Sequence, residues 1–183
     1  MSQSSASRFP VALPPPPEPV NLMSRDGLAA AIAASRQSPR RRIIQPLHKD
    51  NSALLQRMFN VVQPGSYLRP HRHVTPPKAE NLLIWQGAIV FFEFDDEGRT
   101  RNAVTLRAGG PIFGVDIEPG VFHTFLAIEA DTVVWETKSG PYEPINDKDF
   151  APWAPPEGTP EASAYLEHLQ TLAQRCLKLD GPR

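Results

Sequence analysis

Gly65-Ser66-Tyr67-Leu68-Arg69-Pro70-His71-Arg72-His73, followed after six residues by Glu80, is the stretch that decides the fold. In a strand, residues i and i+2 point to one face, about 7 Å apart along the chain. His71 and His73 can therefore aim two imidazoles at one point. Pro76-Pro77 allows a tight loop, and a carboxylate at the start of the returning strand, Glu80, can face the same point. His123 stands 43 positions further on, just after Pro119-Gly120, where a turn starts another strand. A His-x-His alone is more often a surface pair than a metal site. Three imidazoles and a carboxylate together make a donor set for one divalent transition metal ion: Zn, Fe(II), Mn, Ni or Cu. If the geometry is octahedral, four protein ligands leave room for one or two waters, the open position that a catalytic site requires.

Outward from this stretch, the chain reads as short strands with turn signals. The strands are Ile43–His48, Leu54–Val62, Tyr67–His73, Asn81–Gln86, Ala88–Phe94, Arg99–Leu106, Ile112–Ile117, Val121–Ala127 and Thr132–Lys138. Asp95-Asp96-Glu97-Gly98 is a hairpin turn; Pro64-Gly65 and Ala108-Gly109-Gly110-Pro111 are further turns. Nine short strands with hardly any helix among them predict an all-β antiparallel sandwich or barrel. Residues 1–20 read as a disordered, Pro-rich tail and 21–41 as a segment with a helix over Arg25–Arg36. Residues 42–158 form the barrel, and 159–183 a terminal helix and tail, with Tyr165, Leu166, Leu169, Leu172 and Leu177 near one face.

Gly-x5-His-x-His, then Glu80-x6-Gly87 and Gly120-x2-His123, resembles the two cupin motifs. Two features depart from them. The gap before Glu80 is longer, and Ala127 stands where the second motif has Asn. Arg69-Pro70-His71-Arg72-His73, Pro119-Gly120-Val121-Phe122-His123-Thr124, Gly140-Pro141-Tyr142 and Phe150-Ala151-Pro152-Trp153 together resemble the WbuC-type cupin-fold metalloproteins over residues 28–158. In that family the longer gap is usual. The resemblance implies a cupin-type double-stranded β-helix, or jelly roll, a bound metal and a homodimer. Some members sit among genes for bacterial surface polysaccharide.

Around the four metal-ligand candidates the sequence offers further groups. Tyr67, on the histidine face by alternation, could donate its hydroxyl to a substrate, or pack in the core. Glu136 is a candidate general base if its strand face points inward; a solvated Glu136 and Lys138 is the preferred reading. Arg69 shares the histidine face and is a candidate substrate group. Lys78 could pair with an acidic substrate, with a solvated loop charge favoured. His48 could enter the pocket from an early strand. Arg40, Arg41 and Arg42 could grip phosphate or carboxylate, or form a solvated basic run.

Net charge is -1, which gives no overall case for nucleic acid or an anionic membrane. The charge is uneven: residues 1–57 hold eight Lys/Arg against three Asp/Glu, the remainder eleven against seventeen. One cysteine, Cys176, excludes a disulfide within the chain. No apolar run approaches the ~20 residues of a membrane span, and the Ser-rich start lacks a signal-type apolar core, so a cytoplasmic protein is expected. Three classes of function follow. One is a metal-dependent enzyme, isomerase or oxygenase in type, acting on a small sugar-like or carboxylate-bearing molecule. The others are a non-catalytic small-ligand module and a barrel merely stapled by its metal.

Overall fold

A computed structural model describes residues 9–145 and 147–180. Ten strands and two α-helices follow in chain order: α1 (Ala29–Gln37), β1 (Arg42–Pro46), β2 (Leu55–Val62), β3 (His71–Arg72), β4 (Glu80–Gln86), β5 (Ala88–Phe94), β6 (Thr100–Arg107), β7 (Gly114–Ile117), β8 (Phe122–Ala127), β9 (Thr132–Ser139), β10 (Asp149–Phe150) and α2 (Pro160–Asp180). They form two five-stranded antiparallel sheets, ordered β1-β2-β9-β4-β7 and β10-β3-β8-β5-β6. Apart from the consecutive pairs β1–β2 and β5–β6, neighbours in each sheet come from distant parts of the chain, and the chain passes repeatedly from one sheet to the other. This is the jelly roll of a cupin-type barrel.

The interior between the sheets is graded. Inward positions run Val62, Asn60, Met58, Gln56 along β2 and Val134, Glu136, Lys138 along β9. They run Ile84, Leu82, Glu80 along β4 and Ala127, Phe125, His123 along β8. At one end the apolar members close up with Ile89, Phe91 and Leu106 into a dry core. At the other end the same four strands turn polar, and every one of those polar side chains except the half-buried Asn60 is buried. Strand periodicity therefore delivers the polar residues to one mouth of the sandwich.

Both outer faces are covered. α2 starts at Thr159-Pro160, where the Thr159 hydroxyl accepts from the Ala162 N–H and proline occupies the first helical position. It packs Leu169 and Ala173 against Val90, Phe92 and Leu126 of the second sheet. Burying a side chain such as Phe92 contributes about 1.5–3 kcal/mol. α1 stops at Ser38, just before Pro39, and sets Ala31 with Leu28 against Phe59, Val61 and Val133 of the first sheet.

The tail expected to be disordered over 1–20 falls outside the described residues for 1–8. From Phe9 onward it lies along β1, with Leu13 N–H donating to Ile44 O at 2.8 Å and Ile44 N–H to Val11 O at 3.2 Å. The strand expected over Tyr67–His73 shortens to β3. Pro70 cannot donate to a ladder, and the Tyr67 hydroxyl, the Arg69 guanidinium and Pro70 O bond to the segment after β10 instead. Among the described residues, no helix is long and apolar enough to cross a membrane.

Candidate metal centre

His71 and His123 sit opposite one another on β3 and β8. Gly120 adopts φ +87° in the turn before β8, and its N–H donates to His73 O at 3.1 Å. That turn ties the His73 loop to the strand carrying His123. Glu80 opens β4, facing Lys138 of β9. One ligand atom from each of His71, His73, Glu80 and His123 lies within 4.8 Å of the others, and all four residues are buried.

The hydrogen bonds around the cluster fix its chemistry. The Nδ1 of His71 faces Arg69 O at 3.0 Å, that of His123 faces Val121 O at 2.9 Å, and that of His73 faces Asp147 O. A carbonyl partner needs an N–H, so each ring carries its hydrogen on Nδ1 and presents a lone pair on Nε2. The Nε2 atoms of His73 and His123 lie 3.1 and 3.2 Å from Glu80 Oε2. Acceptors that close in a buried site repel unless a cation or proton lies among them. Ligands about 2.1 Å from a shared ion stand about 3.0–3.4 Å apart at octahedral to tetrahedral angles. The donor set fits a divalent transition ion. Burial holds the His71 imidazole well below its ordinary pKa, so it is neutral and ready to ligate. Burial pushes the Glu80 carboxyl up, but it is held well below the usual carboxylate range, the charge of Lys138 favouring its ionised form, so it is the fourth acceptor of the set.

The cluster opens on a cavity of about 820 Å³. Glu136 and Lys138 line it. Their solvated reading is corrected: β9 is central in its sheet, so its inward side chains cannot reach bulk water. Asn60 donates to Glu136 Oε2, and Lys138 Nζ lies 3.6 Å from Oε1. Burial, then the charge of Glu80, raises the Glu136 carboxyl above its ordinary pKa. His48 also lines the cavity, its Nδ1 within reach of the N–H and carbonyl of Arg57.

Three expectations are corrected. Tyr67 does not face the cluster: its hydroxyl donates to Pro155 O at 2.8 Å, and its ring packs beside Tyr165 of α2. Without a strand at 67–70 the alternation that placed it beside the histidines does not exist. Lys78 is neither solvated nor at the cavity wall; it is buried, donating to Pro141 O at 2.7 Å and pairing with Asp147 at 3.2 Å. Arg69 reaches the cavity wall, but Nε and Nη2 donate to the carbonyls of Ala154 and Ala151. It is an anchor for that segment.

Sequence reasoning missed Asp147. Its carbonyl orients His73, while its carboxylate pairs with Lys78 and with Lys138 at 2.9 Å. Nothing in its spacing announces this, because the loop from 140 to 148 has no periodicity. Asn60 was missed too, although a polar residue at an inward position between Met58 and Val62 is a signal that could have found it.

Parts of the chain match known proteins. Residues 23–106 match the model of a family described as a domain of unknown function, DUF6016. No curated protein matches. Among solved structures, the chain is similar to the Bacillus subtilis oxalate decarboxylase, a protein with Mn(II) centres. Identity there is 18% and TM-score 0.43, over 54% of this chain and 24% of that one. It is also similar to the capsular polysaccharide assembling protein CapF of Staphylococcus aureus, at 21% and TM-score 0.47, over 58% and 28%. A third is the Lactobacillus farciminis oxalate decarboxylase in complex with formate, at 21% and 0.42, over 55% and 28%. The match thus spans under a third of each of those proteins.

Proposed function

We propose that this chain is a cupin metalloprotein of the WbuC type. It holds one divalent transition metal ion through His71, His73, Glu80 and His123 and acts on a small carboxylate-bearing or sugar-like molecule in the adjoining cavity. The observation that carries the reading is the convergence of three Nε2 lone pairs and Oε2 of Glu80 in a buried pocket open to that cavity. When bound, the ion would polarise an oxygen of the ligand. The residues of the chain divide the remaining work. The apolar floor excludes water, and Glu136, held towards its protonated form, takes or gives a proton. Lys138 stays charged: burial works against its charge, but Glu136, Glu80 and Asp147 outweigh it.

Charge favours an acidic ligand over a neutral one. The cavity is lined by five cationic side chains and four carboxylates, and a divalent ion tips the balance further to positive. A role in surface-polysaccharide metabolism and assembly as a homodimer belong to the same proposal. Elemental analysis of the purified protein, joined to activity screens on sugar acids and oxo-acids, tests it. One equivalent of transition metal, lost in His71→Ala and His123→Ala variants that stay folded, is expected. A folded wild-type chain that retains no metal when supplied with Zn, Mn, Fe or Ni overturns the reading. Ligand-dependent stabilisation without turnover would reassign the cavity to binding alone.

A further inference from the structure

A second cluster of charge stands on the wall of the same cavity, apart from the four metal-ligand candidates. Arg40 faces Glu157 through both ends of its fork, Nε to Oε1 at 3.0 Å and Nη2 to Oε2 at 3.1 Å. Arg42 Nη2 reaches Oε2 at 2.7 Å. All three residues line the cavity. Arg42 is built in: its side chain is only 12% exposed, and Nη1 donates to Tyr67 O at 2.9 Å and Ser66 Oγ at 3.1 Å. Ser66 Oγ in turn donates to Arg40 O at 2.8 Å.

Glu157 is differently placed. Its side chain is 35% exposed and lies between Pro156 and Gly158, just before α2. The segment that carries it does not depend on it. Arg69 holds the carbonyls of Ala151 and Ala154, Tyr67 holds that of Pro155, and Ala151 and Ala154 are packed in the core under α2. The carboxylate can swing out while its backbone stays docked. Two guanidinium groups, one fixed and half-buried, therefore face a partly exposed carboxylate on a ligand-sized cavity. A planar fork is matched to carboxylate and phosphate oxygens.

We propose that Arg40 and Arg42 form a second anchoring point that grips an oxyanion, carboxylate or phosphate, borne by the ligand, and that Glu157 occupies this point until the ligand displaces it. The inference deepens the proposed function: the ligand carries one oxygen-rich end for the metal-side cluster and a separate anionic group for the arginines. A cavity of about 820 Å³ is larger than a two-carbon acid needs and suits such a two-ended molecule.

Calorimetric titration of the full chain with inorganic phosphate, and separately with acetate, tests this. Each titration is run on protein as purified and again after chelation. Glu157→Ala is expected to tighten binding of phosphate or acetate roughly tenfold, by removing a charge-assisted competitor. Adding Arg40→Gln is expected to abolish that gain. The anion that responds more strongly identifies the oxyanion. A Glu157→Ala chain that binds neither probe more tightly, or a gain that survives Arg40→Gln, overturns the proposal. Should Glu157→Ala fail to fold, Arg40→Gln alone decides: affinity equal to wild type for both probes overturns it. The chelated arm separates the two readings. A phosphate gain through Glu157→Ala that survives chelation leaves this proposal standing even where the wild-type chain retains no supplied metal and the metal proposal fails.

Discussion

At the scale of single residues, the candidate metal centre rests on tautomers. Each of the three imidazoles spends Nδ1 on a backbone carbonyl, so its orientation is set by the chain and its Nε2 has one remaining use. Replacing His123 by Ala removes a lone pair without disturbing Val121 O, which can turn to water. The expected outcome is a metal affinity lowered by at least the roughly 10–100-fold that loss of a mere supporting partner costs. Equilibrium dialysis against zinc measures it. Glu136→Gln is a contrasting case. It keeps the shape and the Asn60 contact but cannot transfer a proton, so metal content is expected to persist while turnover falls about 10²–10⁴-fold. Loss of both together would show Glu136 to be a structural support for the cluster. The four ligand candidates were legible because strand spacing and turn position are written in the residues. Tyr67 was misread because alternation was extended through Pro70, where no ladder forms.

At the scale of elements, β9 and the loop that follows it carry the site. β9 pairs with β2 and β4 along its length, which is why Glu136 and Lys138 are buried. Alternation in the sequence shows that the two share a face, but not which neighbours cover it. Gly140 ends the strand so close to the Ala53 carbonyl that an added Cβ would lie 1.8 Å from its oxygen. Gly140→Ala is expected to cost about 3 kcal/mol, the upper end for overpacking, because a backbone carbonyl cannot step aside. Gly109, where an added Cβ meets nothing, should lose only about 1 kcal/mol for its φ of 70°. Chemical denaturation of both variants checks the ratio. Beyond Gly140, the carboxylate of Asp147 is the counter-charge for Lys78 and Lys138, two buried ammonium groups. Asp147→Asn is expected to destabilise by about 3 kcal/mol, because it strands Lys78 and leaves Lys138 to Glu136 and Glu80. The pH dependence has a definite sign. Burial pushes Asp147 up, but Lys138 and Lys148 outweigh it and hold the carboxyl below its ordinary value. A carboxyl depressed in the fold contributes stability that is full above its unfolded pKa, near 4. That contribution fades as pH falls towards the folded value. Wild-type thermal stability should therefore drop below about pH 4 more steeply than that of Asp147→Asn.

At the scale of the whole molecule, the expected strands and the two helices stand within a few residues of their places, with the Tyr67–His73 segment as the exception. The run Ala88–Phe94 lies between Gly87 and the turn Asp95-Asp96-Glu97-Gly98, so its limits were readable. β10 was not, because two residues cannot show a period; pairing with β3 alone makes it a strand. The metal is expected to couple to the stability of the entire sandwich, since its ligands come from β3, β4, β8 and the loop after β3. At a free metal concentration about 100 times the dissociation constant, binding adds about 2.7 kcal/mol. For a chain of this size that raises Tm by about 5–10 °C. Differential scanning calorimetry with and without chelator reads the shift, and a scan that chelation leaves unchanged would show the ligands to be free of metal in the folded chain.

The graded interior has a kinetic consequence. Among the described residues, Val134, Ile89 and Leu106 stopper the base of the sandwich like that of a vessel. On the proposed enzymatic reading, product leaves through the doorway by which the reactant came, and the two cannot pass. Accumulated product would then compete with fresh reactant for entry, and its inhibition would be purely competitive.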